Sequence, residues 1–289
     1  MIIAIASGKG GTGKTTIATN LAKVLEDRGV TLYDCDVEEP NSHLFLKPKI
    51  EKEWAYHTFI PKVDPAKCTL CGKCSDLCQF AAIATIKNNV LVFPELCHGC
   101  EGCKRICPEN AISDGRKEVG SVVEGTSGKI RCIHGRLRIG EAMAPPLIRE
   151  VKRVGLPHHR SNISIIDSPP GTSCPVIEAV KGADLVLLVT EPTPFGLHDL
   201  KLAVEMIRVL QIPFGVVINR STTGDREVWC FCEREAIPIL MEIPDDREIA
   251  VAYSHGKLMI DALPQYREKF ETLYAKLQSK IPSFAEVSS

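Results

Sequence analysis

Four short apolar runs punctuate the chain: Ile2–Ala6, Ile163–Ile166, Leu185–Thr190 and Phe214–Ile218. Each is continuous and rich in β-branched or aliphatic residues, which predicts strands buried on both faces. Between them the apolar positions recur at helical spacing. In the segment Thr15–Asp27, residues Ile17, Leu21, Val24 and Leu25 form one stripe, and Met143–Val154 and His198–Leu210 read the same way. The stretch "DREVWCFCERE" predicts a short helix that turns Cys230 and Cys232 to different faces. Tyr266, Phe270, Leu273, Leu277 and Ile281 predict a C-terminal helix docked on the core, and "KIRCIHGRLRIGE" reads as a hairpin. Buried strands alternating with amphipathic helices define an α/β protein with a mainly parallel, twisted sheet flanked by helices.

The first run leads into "SGKGGTGKTT", which satisfies two phosphate-binding patterns. Gly8-x-Gly10-x-x-Gly13 fits a dinucleotide turn, and Gly8-x4-Gly13-Lys14-Thr15 fits a P-loop. Asp34 and Asp36 follow the next strand and would suit a dinucleotide ribose, so the glycines alone leave both readings open. Lys14 and Thr15 decide it. They supply an ammonium for the β- and γ-phosphates and a hydroxyl for Mg2+, neither of which a dinucleotide site needs. "ISIIDSPPGT" then adds a strand ending at Asp167, placed for the Mg2+ shell, and a loop offering the Gly171 amide to a γ-phosphate. Gly8, Gly10, Gly11, Thr12, Gly13, Lys14, Thr15 and Thr16 are expected to cradle a nucleoside triphosphate, ATP or GTP, with Mg2+ at Thr15 and Asp167.

Cysteine usage changes the picture. The chain has 13 cysteines, and Cys68-x2-Cys71-x2-Cys74-x3-Cys78 recurs as Cys97-x2-Cys100-x2-Cys103-x3-Cys107, an offset of 29 residues. Pro65, Ala82 and Ile83 return at the same offset as Pro94, Ala111 and Ile112, so the segment is an internal duplication. This is the two-cluster ferredoxin spacing, in which the last cysteine of each run crosses to the other cluster. It assigns Cys68, Cys71, Cys74 and Cys107 to one 4Fe-4S cluster and Cys97, Cys100, Cys103 and Cys78 to a second. Zinc would call for two spaced pairs instead. Gln79 stands where the second run has Pro108, which leaves the first turn less constrained. A small α+β, ferredoxin-like insertion is therefore expected at residues 60–113, with cluster ligation in place of a large core. It would divide an ATPase domain into residues 1–59 and 114–289, with its ends at the carboxyl edge beside the nucleotide loops.

"GKGGTGKTT" resembles the deviant Walker A motif of the MinD, ParA and Mrp ATPases. With "DVEEPNSHLFL", the cysteine runs and "DSPPGT", the chain resembles, over nearly its full length, MinD-superfamily P-loop ATPases carrying an inserted ferredoxin domain. They belong to the wider CobQ/CobB/MinD/ParA group. The resemblance implies ATP hydrolysis in a nucleotide-sandwich homodimer, with Lys9 reaching the phosphates bound by the partner and Lys14 serving its own. It further implies that Asp36 orients the attacking water, that Asp34 serves the Mg2+ shell, and that Asn219 meets the adenine ring with Pro244 and Asp245 on its other side. Read from the residues alone, Lys9 is equally a solvated loop lysine, while the lesser alternative for Asp34 and Asp36 is that both merely cap the strand end.

A formal net charge of −1 gives no global field for nucleic acid or an anionic membrane. No apolar run is long enough for a membrane span or a secretion signal, so a cytoplasmic setting is expected. Cys174 reads as a small buried thiol, His98 as a donor to cluster sulfur or a solvated loop residue, and His158 and His159 have no visible partners. The expected function is ATP hydrolysis coupled to electron transfer to an unidentified redox partner. An ATP-dependent iron–sulfur cluster carrier is the alternative.

Overall fold

The computed structural model describes residues 1–155 and 163–285. His158, His159 and the side chain of Ile281 lie outside the described residues. β1 (Ile2–Ala6) leads through the glycine loop into α1 (Lys14–Val24), and β2 (Val30–Asp34) leads into the short α2 (Ser42–Leu46). β3 (Lys49–Val63) runs out to a small module of α3 (Lys73–Leu77), β4 (Ile83–Ile86), β5 (Asn89–Val92) and α4 (Gly102–Ile106), and β6 (Ile112–Ser127) returns from it. Then follow β7 (Ile130–Leu137), α5 (Ala144–Arg153), β8 (Ile163–Asp167), α6 (Cys174–Val180), β9 (Leu185–Thr190), α7 (Pro194–Val209) and β10 (Phe214–Ile218). The chain ends with α8 (Glu227–Arg234), β11 (Ile239–Glu242), α9 (Arg247–Ser254), α10 (Met259–Ala262) and α11 (Arg267–Ala285).

Nine strands form one sheet in the order β11-β10-β9-β1-β8-β2-β7-β6-β3. Pairing from β11 through β7 is parallel, while β7–β6 and β6–β3 are antiparallel. Alternation along β1 shows why the central runs are apolar throughout. Ile3 and Ile5 enter the core layer under α1 and α11, and Ala4 and Ala6 enter the opposite layer under α5, α6 and α7. In α11, Phe270, Leu273 and Leu277 are fully buried, each contributing about 1.5–3 kcal/mol by burial.

Two stretches differ from their sequence reading. "KIRCIHGRLRIGE" is the single strand β7 and the loop after it; the hairpin is β6–β7, turning between Ser127 and Ile130. Gly135 is a packing glycine there. A Cβ at that point would stand 2.6 Å from Val37 and 2.9 Å from Val151. The polar "SDGRKEVG" is strand as well, because β3 and β6 stay paired for seven further residue pairs, from His57↔Glu118 to Val63↔Ile112. This ribbon runs beyond the point where Gly120 pairs with Leu137 at the end of β7. At about 3.3 Å per residue it projects the module roughly 23 Å past the carboxyl edge of the sheet.

Candidate functional site: a phosphate cradle and a cysteine module

The cradle is the loop between β1 and α1. Gly11 and Gly13 have φ of 79° and 99°, the left-handed region where glycine carries no Cβ penalty. Gly13 caps α1, and a Cβ there would meet Asn219 Nδ2 at 2.6 Å. Open space lies beside Gly10 and Gly11, so the backbone is bare on the side a phosphate would approach. Gly8 is fixed for the opposite reason, since a Cβ would run into the Asp199 carbonyl of α7. Lys14, the first residue of α1, is buried, and burial lowers its pKa against the pull of Asp167, Asp36 and Asp34.

Three carboxylates converge behind the lysine. Asp167, fully buried at the end of β8, accepts a 2.7 Å hydrogen bond from Thr15 Oγ1. Burial raises its pKa well above the usual carboxylate value, with Asp34 adding to the effect. Its Oδ1 is buried without a hydrogen-bond partner, as are Ser168 Oγ and Thr12 Oγ1. A hydroxyl joined to a buried carboxylate with spare acceptor capacity, on a phosphate-binding loop, fits an oxygen-seeking Mg2+. Asp36 is half-buried, and its pKa is pushed up to about 6 by burial and then by Asp34. Asp34, expected in the Mg2+ shell, is bonded by three backbone amides. Its Oδ1 accepts from the Asp36 amide, and its Oδ2 accepts from the amides of Asn41 and Ser42. It holds the loop that presents Asp36 and starts α2.

The other expected residues surround this cradle. The Gly171 amide does not stand open toward the cradle but donates to Ser7 O at 3.0 Å. Lys9 folds back within its own chain, 3.5 Å from Glu191, whose other oxygen lies 3.0 Å from Arg220. Asn219 donates through Nδ2 to Thr12 O at 2.9 Å, bracing the cradle from the end of β10. Half-buried Pro244 and exposed Asp245 follow β11 on the neighbouring loop; the Asp245 amide donates to Thr222 Oγ1 and its carboxylate lies 3.8 Å from Arg220. Cys174, expected buried, is exposed at the start of α6. On α8 Cys230 is exposed and Cys232 buried, as their two-residue spacing requires. Glu191 escaped the sequence reading, since only the fold brings the end of β9 beside Lys9 and Arg220.

The module gathers its eight cysteines around two cavities. Cys68, Cys71, Cys74 and Cys107 line one. Cys78, Cys97, Cys100 and Cys103 line the other, of about 290 Å3. Among the described residues no three ligand-type side chains close on a single point; these thiols stand around cavity walls. Burial raises the thiol pKa of Cys74, Cys97 and Cys103, the last to about 11, with neighbouring cysteines adding to it. Such thiols ionise when a cationic centre draws them. Four around one cavity, with the Ala111 amide donating to Cys107 Sγ at 3.3 Å, fit the donor set of an iron–sulfur cluster. His98 stacks on Phe80 with ring centroids 3.5 Å apart, joining the two cysteine loops beside the second cavity.

A P-loop at the end of the first strand, an aspartate bonded to its threonine and a parallel sheet define a P-loop nucleotide-binding protein. Comparison with known proteins names the group: the CobQ/CobB/MinD/ParA nucleotide binding domain matches residues 3–259, and the chain belongs to that family of ATPases. It is 34% identical to the protein MJ0578 of Methanocaldococcus jannaschii over 97% of this chain and 98% of the other. It is 26% identical to an iron-sulfur cluster carrier protein of Pyrococcus abyssi, over 88% of this chain and 77% of that one. In fold it matches the septum site-determining protein MinD from Pyrococcus horikoshii, solved with Mg-ADP, with a TM-score of 0.59 and 19% identity over 96% and 95% of the two chains. Among the described residues no helix is long and apolar enough to cross a membrane.

Proposed function

We propose that this ATPase couples its nucleotide cycle to electron transfer through two 4Fe-4S clusters, held by Cys68, Cys71, Cys74 and Cys107 and by Cys97, Cys100, Cys103 and Cys78. The observation that supports the coupling most directly is the ribbon. It carries both cysteine cavities on the carboxyl-edge side of the sheet, where the P-loop, Asp36 and Asp167 also lie. The clusters would supply one-electron chemistry, and residues 60–113 would serve as their module between the two parts of the ATPase domain, 1–59 and 114–289.

In this reading the loop amides and Lys14 bind the phosphates of ATP, and Thr15 and Asp167 hold Mg2+. Asp36 orients water for attack. Asn219, with Pro244 and Asp245, borders the adenine. Lys9 leaves Glu191 for the phosphates of a second copy, closing a homodimer in the cytoplasm. Hydrolysis frees the Gly171 loop, and that movement alters electron delivery to a redox partner.

A second reading, an ATP-dependent cluster carrier, draws support from the named Pyrococcus abyssi relative and from the exposure of Cys71 and Cys100. One experiment separates the two. Anaerobically purified protein is titrated by EPR without nucleotide, with MgATP and with MgADP. Coupled electron transfer predicts midpoint potentials that shift by tens of millivolts, where about 60 mV is tenfold for one electron. Potentials indifferent to nucleotide, together with ATP-triggered loss of cluster to an apo-acceptor, would establish the carrier instead.

A further inference from the structure

The switch loop after Asp167 and the second cysteine cavity belong to different parts of the fold, yet helix α5 is fastened to both. At its N-terminal end Glu141 Oε1 accepts from the Met143 amide that begins the helix. Glu141 Oε2 pairs with Lys117 Nζ at 2.8 Å, with side chains only 2% and 14% exposed. Lys117 lies on ribbon strand β6, and its ammonium also donates to Pro94 O, at 3.4 Å, in the loop leading to Cys97. One half-buried cation thus joins the ribbon, the loop before α5 and the segment that leads to Cys97 on the second cavity.

At its other end, α5 holds the switch helix. Lys152 Nζ donates to Glu178 O, Ala179 O and Lys181 O at 2.8, 2.8 and 2.7 Å. All three ammonium protons go to the last carbonyls of α6, which have no partner within their own helix. Arg149 adds a 3.0 Å ion pair to Glu178 on the same helix. α6 begins at Cys174, directly after the loop in which Ser168 and Gly171 donate to Ile5 O and Ser7 O beside the phosphate cradle.

Between these fastenings the helix has no slack. A Cβ at Gly120 would stand 2.9 Å from Leu147, and one at Gly135 would stand 2.9 Å from Val151 and 3.2 Å from Leu147. Leu147, Ile148 and Val151 are fully buried against β6 and β7. Trp54 on β3, paired with Val122 where the ribbon roots in the sheet, packs against the same core cluster as Leu147, Ile148 and Val151. Close-packed elements shift as units rather than yielding locally. A displacement of α6 is therefore passed to the ribbon.

We propose that α5 is the lever joining the nucleotide switch to the Cys97 loop, with Lys152 and the Lys117–Glu141 pair as its two fastenings. Both are positioning residues, acting through α6 and through the Pro94–Cys97 loop. The inference rests on the coupling proposed above and gives it a route.

The test is hydrogen–deuterium exchange on anaerobically purified, cluster-loaded protein, comparing MgATP with MgADP. In the unaltered protein exchange is expected to differ at residues 168–174 and also at 94–100 and 113–120. In Lys152→Met the difference at 168–174 remains and those at 94–100 and 113–120 are lost. Glu141→Gln, at the opposite end, gives the same pattern, so the test survives if either variant fails to fold. A merely structural role would raise exchange equally with both nucleotides and leave the MgATP–MgADP difference intact. That result, or an unaltered protein responding only at 168–174, overturns the lever while leaving ATP binding in place. A switch loop indifferent to nucleotide would overturn the coupling reading itself.

Discussion

Asp36 carries the clearest single-residue consequence. Its carboxyl is raised from 3.8 to about 6, first by burial and then by Asp34. The folded chain binds that proton more tightly than the unfolded chain, so the contribution favours folding below pH 3.8 and is lost as pH rises through about 6. A shift near two units corresponds to about 3 kcal/mol. Solvent reaches the half-buried group and reduces this to on the order of 1 kcal/mol. Asp36→Asn is therefore expected to raise the melting temperature of nucleotide-free protein at pH 8, with the gain shrinking toward pH 4.5. The same variant should lose about 100-fold or more in ATP turnover if Asp36 orients the water. An equal loss of stability at both pH values would show that Asp36 is only a loop ligand. Lys14 and Thr15 were legible in the sequence because a P-loop sets their spacing locally, and Asp167 because it ends an apolar strand run before Pro169, Pro170 and Gly171. Asp34 was not, since its amide partners at Asn41 and Ser42 come together only when the loop folds back over β2.

At the scale of elements, the buried strands and amphipathic helices were legible because burial on both faces leaves a continuous apolar run. The ribbon was not. Its outer part is solvent-facing and broken by Gly115 and Gly120, which read as loop signals although both serve close backbone approach. The ends of three neighbouring elements also meet in one ionic chain: Lys9 from the P-loop, Glu191 after β9, and Arg220 after β10, which reaches Asp245. Partly exposed Lys9 lies 3.5 Å from buried Glu191, and solvent at the lysine keeps the pair to about 1 kcal/mol, a small hold on a lysine proposed to leave it. Lys9→Ala is expected to abolish ATP-dependent dimerisation and hydrolysis without lowering the monomer's melting temperature by more than about 1 kcal/mol equivalent. Glu191→Gln should ease dimerisation. Light scattering with ATP, in an Asp36→Asn background that slows turnover, reads both. A Lys9→Ala dimer as tight as its parent would leave Lys9 as a loop residue bound to its own chain.

For the whole molecule, stability is unevenly spread. Both large hydrophobic clusters lie in the sheet domain and its helices, and neither contains a residue between 64 and 111. In that stretch only Ala82, Ile83 and Ala111 are buried hydrophobics, while Leu70, Leu77, Phe80, Ile86, Leu91, Phe93, Leu96 and Ile106 are exposed. A segment this short of core folds stably when metal ligation supplies the missing free energy. With clusters held there as proposed, its folding is linked to their occupancy, whereas the sheet domain's folding is not. Anaerobic chelation of iron should accordingly open residues 64–111 to limited proteolysis and leave the paired segments 1–48 and 119–155 protected, with melting of the sheet domain unchanged. Nucleotide should protect the opposite set, raising the melting transition of the sheet domain by mass action and doing nothing for the chelated module. Mass spectrometry of the fragments reads both effects in one digest. If chelated protein resisted cleavage at 64–111, the module would hold itself together without clusters, and the eight cysteines would need another explanation.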